Sequence, residues 1–89
     1  MQTSSETLVE LPANVDLHAR PAADFVRTAM GFSSTLTVAS GDRDADAKSL
    51  LAILALGAKR GTTLRLSADG DDAEAALDAL SRCVAGLTE

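Results

Sequence analysis

The sequence predicts a two-layer α+β fold, a half-buried sheet of about four strands with helices on one face, in the order β-α-β-β-α-β-α. Three observations predict it. Two long stretches repeat apolar residues at helical spacing, and several short stretches alternate apolar and polar residues in period two. The two kinds of segment interleave, with glycine, proline and aspartate at the joints.

Val9, Glu10 and Leu11 alternate after a polar start, and Pro12 ends that strand. After a loop to Leu17, Pro21 sits in a first helical turn, where the N–H it lacks would have been unpaired. Ala22, Phe25, Val26, Ala29 and Met30 recur at i, i+3, i+4, i+7 and i+8, which predicts a helix over 19–30 stopped by Gly31. Thr35 to Val38 alternates again, with Leu36 and Val38 facing inward. Ser40-Gly41-Asp42 is a turn, and Arg43 to Ala47 gives a short strand with Ala45 inward. Ser49 caps a short helix carrying Leu50, Leu51, Ile53, Leu54 and Leu56, ended by Gly57. Lys59-Arg60-Gly61 turns the chain into Thr63 to Ser67, the clearest alternation present. Gly70 and Asp71-Asp72 then open a last helix whose apolar stripe is Ala73, Ala76, Leu77, Leu80, Val84 and Leu87, with acids in the first turn where the dipole favours them.

The short helix is the exception in this pattern. Five large or β-branched apolar residues cannot all face inward over two turns, so part of the leucine cluster is expected at the surface, where an apolar patch marks a partner.

At 89 residues the chain fits one domain, 1–89. Such a domain buries roughly 60–65% of the surface its unfolded chain exposes. A hydrophobic share of 46% against 24% charge argues against disorder, and Phe25 and Phe32 are the only aromatics, so the core is built from Leu, Val, Ile and Ala. A lone Cys83 makes no internal disulfide, which fits a reducing cytoplasm; without a companion it reads as a small, partly buried apolar residue and not as a metal ligand. Met1 to Glu6 has neither the basic nor the apolar region of a secretory leader, and no apolar run approaches the ~20 residues of a membrane span.

The net charge of −5 is unevenly spread. Ala47 to Ala68 holds no acid and four cations, whereas Asp69 to Glu89 holds six acids and Arg82 alone. Solvated charge and a docking face both account for this. A net-negative chain with no aromatic platform argues against nucleic acid, and an RNA-binding α+β domain of similar order would carry aromatics where Leu64-Arg65-Leu66 and Leu36-Thr37-Val38 have none.

His18, the only histidine, stands just before a helix start. As a lone residue it is readily a loop or N-cap side chain. Its position also supports chemistry. Unpaired N–H groups at a helix N-terminus bind anions, and the same positive end favours a neutral, nucleophilic imidazole. Arg20 adds a bidentate partner for a phosphate or carboxylate. Together they suit an imidazole that accepts and returns a phosphoryl group.

The run Leu17-His18-Ala19-Arg20-Pro21-Ala22-Ala23, followed by Phe25-Val26, resembles the active-site signature of the histidine-containing phosphocarrier (HPr) family of the bacterial phosphoenolpyruvate-dependent sugar phosphotransferase system. Ala47-Lys48-Ser49-Leu50-Leu51-Ala52-Ile53-Leu54-Ala55-Leu56-Gly57 resembles that family's regulatory-serine region. The likeness runs from Val9 to Leu87, and two motifs about thirty residues apart in the right element order are specific. It implies an open-faced β-sandwich of four antiparallel strands and three helices on one face. It implies that His18 is phosphorylated by enzyme I and passes the group to enzyme IIA proteins. Arg20 would neutralise the phosphate, with the Ala19 and Arg20 N–H groups as its cradle. Leu50, Leu51 and Leu54 would dock both partners, with Ala23 and Arg27 at the rim. A monomeric cytoplasmic carrier needs no cofactor or metal, inserts in no membrane, and is not an enzyme acting on a free metabolite.

Ser49 has two readings, as a helix N-cap and, by the same resemblance, as the target of a serine kinase whose phosphate would disfavour docking. A paralogue in nitrogen-related or dihydroxyacetone phosphotransfer, and a purely regulatory protein acting through Ser49, are the alternatives; the second type lacks the histidine. One departure stands out: Asp16 occupies a position where the family commonly has glycine. Aspartate tolerates left-handed backbone, but a carboxylate two residues from His18 is expected to repel phosphate, so that Asp16→Gly speeds phosphoryl gain. Phe32 is expected to pack under the first helix.

Overall fold

The computed structural model describes residues 3–88. Met1 and Gln2, where the reading of the leader began, and Glu89, one of the C-terminal acids, lie outside the described residues. Seven elements follow in the expected order: β1 (Thr3–Glu10), α1 (Ala19–Ala29), β2 (Thr35–Ser40), β3 (Arg43–Asp46), α2 (Leu50–Leu56), β4 (Thr63–Gly70) and α3 (Ala73–Ala85). The strands form one antiparallel sheet in spatial order β1-β4-β2-β3.

Residues paired directly across antiparallel strands share a face. Val9 pairs with Leu64, Leu66 with Val38, Ala68 with Leu36, and Val38 with Ala45, so the inward residues read from alternation become one apolar surface. The helices cover it: α3 lies on β1, β4 and β2, α2 lies on β3, and α1 packs on α2 and α3. Phe25, Ile53, Leu80 and Val84 fill the space between, with Phe32 partly buried against the same cluster. The other face of the sheet is open and presents Glu6, Leu8, Arg65, Asp69 and Thr35. No helix among the described residues is long and apolar enough to cross a membrane.

Element ends differ from the sequence reading. β1 begins at Thr3, because its first half is held by backbone pairing to β4 and not by apolar side chains. Leu11 lies beyond that strand, buried, with its N–H donating to the Thr62 carbonyl at 2.9 Å. β3 stops at Asp46, although Ala47 N–H still donates to the Leu36 carbonyl at 2.9 Å. α1 ends at Ala29, which leaves Met30, counted in the buried stripe, 66% exposed. Gly31 does not close α1 in a left-handed conformation; its N–H bonds the Thr28 carbonyl at 3.1 Å in a tightened last turn. Gly57, at φ +65°, does end α2 in the expected way.

β4 continues through Gly70, at φ +151°, where a Cβ would lie 2.8 Å from Ser34 Cα. The loop before β2 packs on this glycine, and Ser34 is buried there. Its partner is Asp72, the N-cap of α3, whose carboxylate accepts the Ser33 and Ser34 N–H groups, each at 2.9 Å, and both hydroxyls. Sequence reasoning placed Asp72 as a helix opener; its side chain caps nothing in α3 and instead binds this loop. Among the acids, only Glu74 lies in the first turn of α3.

Candidate functional site

His18 is the N-cap of α1, in extended backbone at φ −117° and ψ −165°. Its carbonyl accepts the first helical bond from Ala22 N–H at 2.8 Å, and its own N–H donates to the Asp16 carbonyl at 2.9 Å. The imidazole makes no capping hydrogen bond, and the residue is exposed. α2 shows the contrast. There Ser49 is the N-cap and its Oγ accepts the Ala52 N–H at 3.2 Å. A side-chain cap contributes about 0.5–2 kcal/mol, a stabilisation that α1 forgoes at His18.

The first-turn N–H groups of Ala19 and Arg20 have no carbonyl within the helix to accept them. Pro21, next in line, offers no donor and is buried, which anchors the turn. Arg20 is exposed and makes no side-chain hydrogen bond or ion pair among the described residues. The start of α1 therefore carries an imidazole at its N-cap, two free amide donors and an arginine in the first turn, at the positive end of a helix dipole. An anion held by those donors would sit against the imidazole.

The loop leading to His18 is fixed by buried Val15 and Leu17, and Leu17 N–H donates to the Ala58 carbonyl at 2.9 Å. Between them Asp16 is gripped by Arg60: Oδ1 accepts Arg60 N–H at 2.7 Å and Nε at 3.3 Å, while Oδ2 accepts Nη2 at 3.3 Å. These bonds, Arg60's charge and, last, the charge of His18 hold the Asp16 carboxyl below its ordinary range. No non-glycine residue among those described has positive φ, so Asp16 fits the loop without the left-handed conformation expected of it.

α2 divides its apolar residues as two turns require. Ile53 and Leu56 are buried, while Leu50, Leu51 and Leu54 are 41%, 80% and 38% exposed. The packing of α1 on α2, with the Leu17–Ala58 bond, puts this cluster beside the His18 loop. Ala23 is half-buried on α1; Arg27 is exposed and paired to Asp24 at 3.2 Å. Cys83 is half-buried against the core.

Sequence reasoning missed Arg60, which it left in a turn, and Lys48, whose Nζ donates to the Phe32 carbonyl at 2.6 Å. Both contacts reach residues distant in the chain, so no local pattern signals either of them. The only available signal for Arg60 was Asp16 itself, a loop carboxylate beside a proposed anion site that would need a counter-charge.

Comparison with known proteins identifies the family. The family model described as "PTS HPr component phosphorylation site" matches residues 5–86. A phosphocarrier protein HPr of Haemophilus influenzae is 49% identical over 72 residues, covering 81% of this chain and 85% of that one. Its counterpart in Vibrio cholerae is 43% identical over 75 residues, covering 84% and 88%. The crystal structure of HPr-C-His from Thermoanaerobacter tengcongensis superposes with a TM-score of 0.87 at 42% identity, over 91% of each chain. With its open-faced sandwich and uncapped histidine, the chain belongs to the HPr family of phosphoryl carriers of the phosphotransferase system.

Proposed function

We propose that His18 is the residue that carries the phosphoryl group. The observation that supports this most directly is the α1 N-cap, where the imidazole makes no capping hydrogen bond and the Ala19 and Arg20 amides find no acceptor within the helix. The lone pair of one ring nitrogen forms the N–P bond as the bond between phosphorus and the donor breaks, and the leaving atom keeps that electron pair. In the second transfer the N–P bond breaks, its pair returns to the imidazole, and the acceptor's nucleophile takes the phosphorus. The Ala19 and Arg20 amides and the Arg20 guanidinium hold the phosphoryl oxygens through both steps.

The donor in this reading is enzyme I and the acceptors are enzyme IIA proteins. Both dock on Leu50, Leu51 and Leu54, with Ala23 and Arg27 at the rim, because one exposed apolar patch beside the histidine serves two partners in turn. Residues 1–89 work as one unit, a cytoplasmic monomer that alternates between proteins and turns over no free metabolite. Ser49 caps α2 inside the docking patch. A serine kinase acting there would place a dianion among the leucines, where it disfavours docking.

The test is intact mass after incubation with phosphoenolpyruvate, magnesium and purified enzyme I, with His18→Ala as control. One acid-labile phosphoryl group on the wild type alone is the expected result. No gain by folded wild-type protein would overturn the assignment.

A further inference from the structure

A carboxylate two residues from a phosphoryl acceptor is a liability, since the arriving group carries like charge. Asp16 is such a carboxylate, and both of its oxygens are engaged by Arg60, from a turn 44 residues away. The turn is shaped for this grip. Gly57 and Gly61, at φ +65° and +73°, bracket it, so that the backbone N–H and the guanidinium of Arg60 reach the same carboxylate.

The two loops are already joined by main-chain bonds: Leu17 N–H to the Ala58 carbonyl at 2.9 Å, Gly61 N–H to Pro12 at 3.2 Å, and Leu11 N–H to Thr62 at 2.9 Å. Loop structure therefore does not depend on the side-chain pair. The pair also lies near the surface, with 30% of the Asp16 side chain and 59% of that of Arg60 exposed, so it adds little to stability. What the pair does fix is where the Asp16 carboxylate points, into the 58–61 turn.

We propose that Arg60 is a positioning residue for phosphoryl transfer: it turns the Asp16 carboxylate into the 58–61 turn and cancels its charge, leaving the approach to His18 open to a phosphoryl group. This rests on the reading of His18 as the acceptor. It also replaces the expectation that Asp16 simply repels phosphate, because the carboxylate and its guanidinium act as a neutral unit.

The proposal predicts effects of opposite sign within one pair. With phosphoenolpyruvate and catalytic enzyme I, the initial rate of phosphoryl gain is expected to fall about tenfold in Arg60→Gln, where Asp16 is left bare. Asp16→Asn, which leaves Arg60 as a net cation, is expected to match or exceed wild type. The double variant should return to within about threefold of wild type, and Arg60→Lys should retain most of the rate. The Arg60→Gln deficit should shrink in high salt, with thermal unfolding close to wild type in all four variants. Equal losses in both single variants, or no change in either, would overturn the proposal while leaving His18 as the acceptor. No phosphoryl gain by folded wild type would overturn both.

Discussion

The buried Ser34 donates both its backbone N–H, at 2.9 Å, and its hydroxyl to Oδ1 of Asp72, 38 residues further along the chain. Ser33 does the same to Oδ2, so one carboxylate fastens the entrance of β2 to the start of α3. The Ser34 hydroxyl first, then the Ser33 N–H, hold the Asp72 carboxyl down at about 2, from 3.8. A carboxylate whose folded pKa is depressed contributes stability that is present above its unfolded value and lost as pH falls through the folded one. Asp72→Asn should therefore lower the melting midpoint by about 5 °C or more at pH 7. The gap to wild type should close between pH 4 and pH 2. Melts followed by circular dichroism across that range check it, and a gap undiminished at pH 2 would refute the assignment.

Gly70 faces the same serine from the other side. An added Cβ meets Ser34 Oγ at 2.5 Å and Ser34 Cα at 2.8 Å, and its φ of +151° disfavours any L side chain. Gly70→Ala should cost about 2–4 kcal/mol, from strained backbone together with overpacking. Urea unfolding is the measurement, with a shifted midpoint and an unchanged slope as the expected outcome.

These two contacts show where sequence reading stopped. Alternation in Thr63 to Ser67 and the stripe from Ala22 to Ala29 were visible because burial imposes a period on neighbouring residues. The first half of β1 was not, since Ser4, Ser5 and Glu6 join the sheet through backbone pairing that is blind to side-chain polarity. At the candidate site, His18 and Arg20 were singled out by a local motif. Arg60 and the role of Asp72 were not, because each acts across about forty residues with a partner that only the folded chain brings near.

Arg20 carries the one guanidinium at the α1 mouth with no partner among the described residues. Removing a donor to a transferring group typically costs about 10²–10³ in rate, so if Arg20 holds the phosphoryl oxygens as proposed, Arg20→Gln should lower kcat for phosphoryl gain by roughly that factor. Arg20→Lys, which keeps charge and loses the fork, should fall between the two. Stopped-flow or quench-flow single turnovers measure it; a change confined to KM would instead make Arg20 a docking residue.

Substitution separates the Ser49 cap from the regulatory role proposed for the same residue. Ser49→Ala removes the acceptor for Ala52 N–H and should destabilise the fold by about 0.5–2 kcal/mol without impairing partner docking. Ser49→Asp preserves a cap acceptor and a favourable charge at the helix start, and should hold stability near wild type. It also places a carboxylate among Leu50, Leu51 and Leu54, so the KM for enzyme I should rise about tenfold. Stability and transfer rate measured on both variants check the split. Equal kinetics in Ser49→Asp and wild type would remove the physical basis for regulation at this residue.

Leu51 and Ile53 lie two positions apart on a seven-residue helix and face opposite ways: Leu51 is 80% exposed and Ile53 is fully buried. The core explains Ile53, and truncating it to alanine should cost about 2–5 kcal/mol from lost burial and the cavity left behind. Nothing in the fold explains a leucine so exposed, and Leu51→Ser should leave the unfolding midpoint within about 0.5 kcal/mol of wild type. If the patch docks two partners, the same substitution should raise KM for both enzyme I and the enzyme IIA acceptor by about tenfold, with kcat little changed. A shift for one partner alone would place the other elsewhere on the surface. A shift for neither would detach the α2 leucines from phosphoryl transfer, because an exposed apolar side chain that serves neither core nor partner has no energetic reason to affect either measurement.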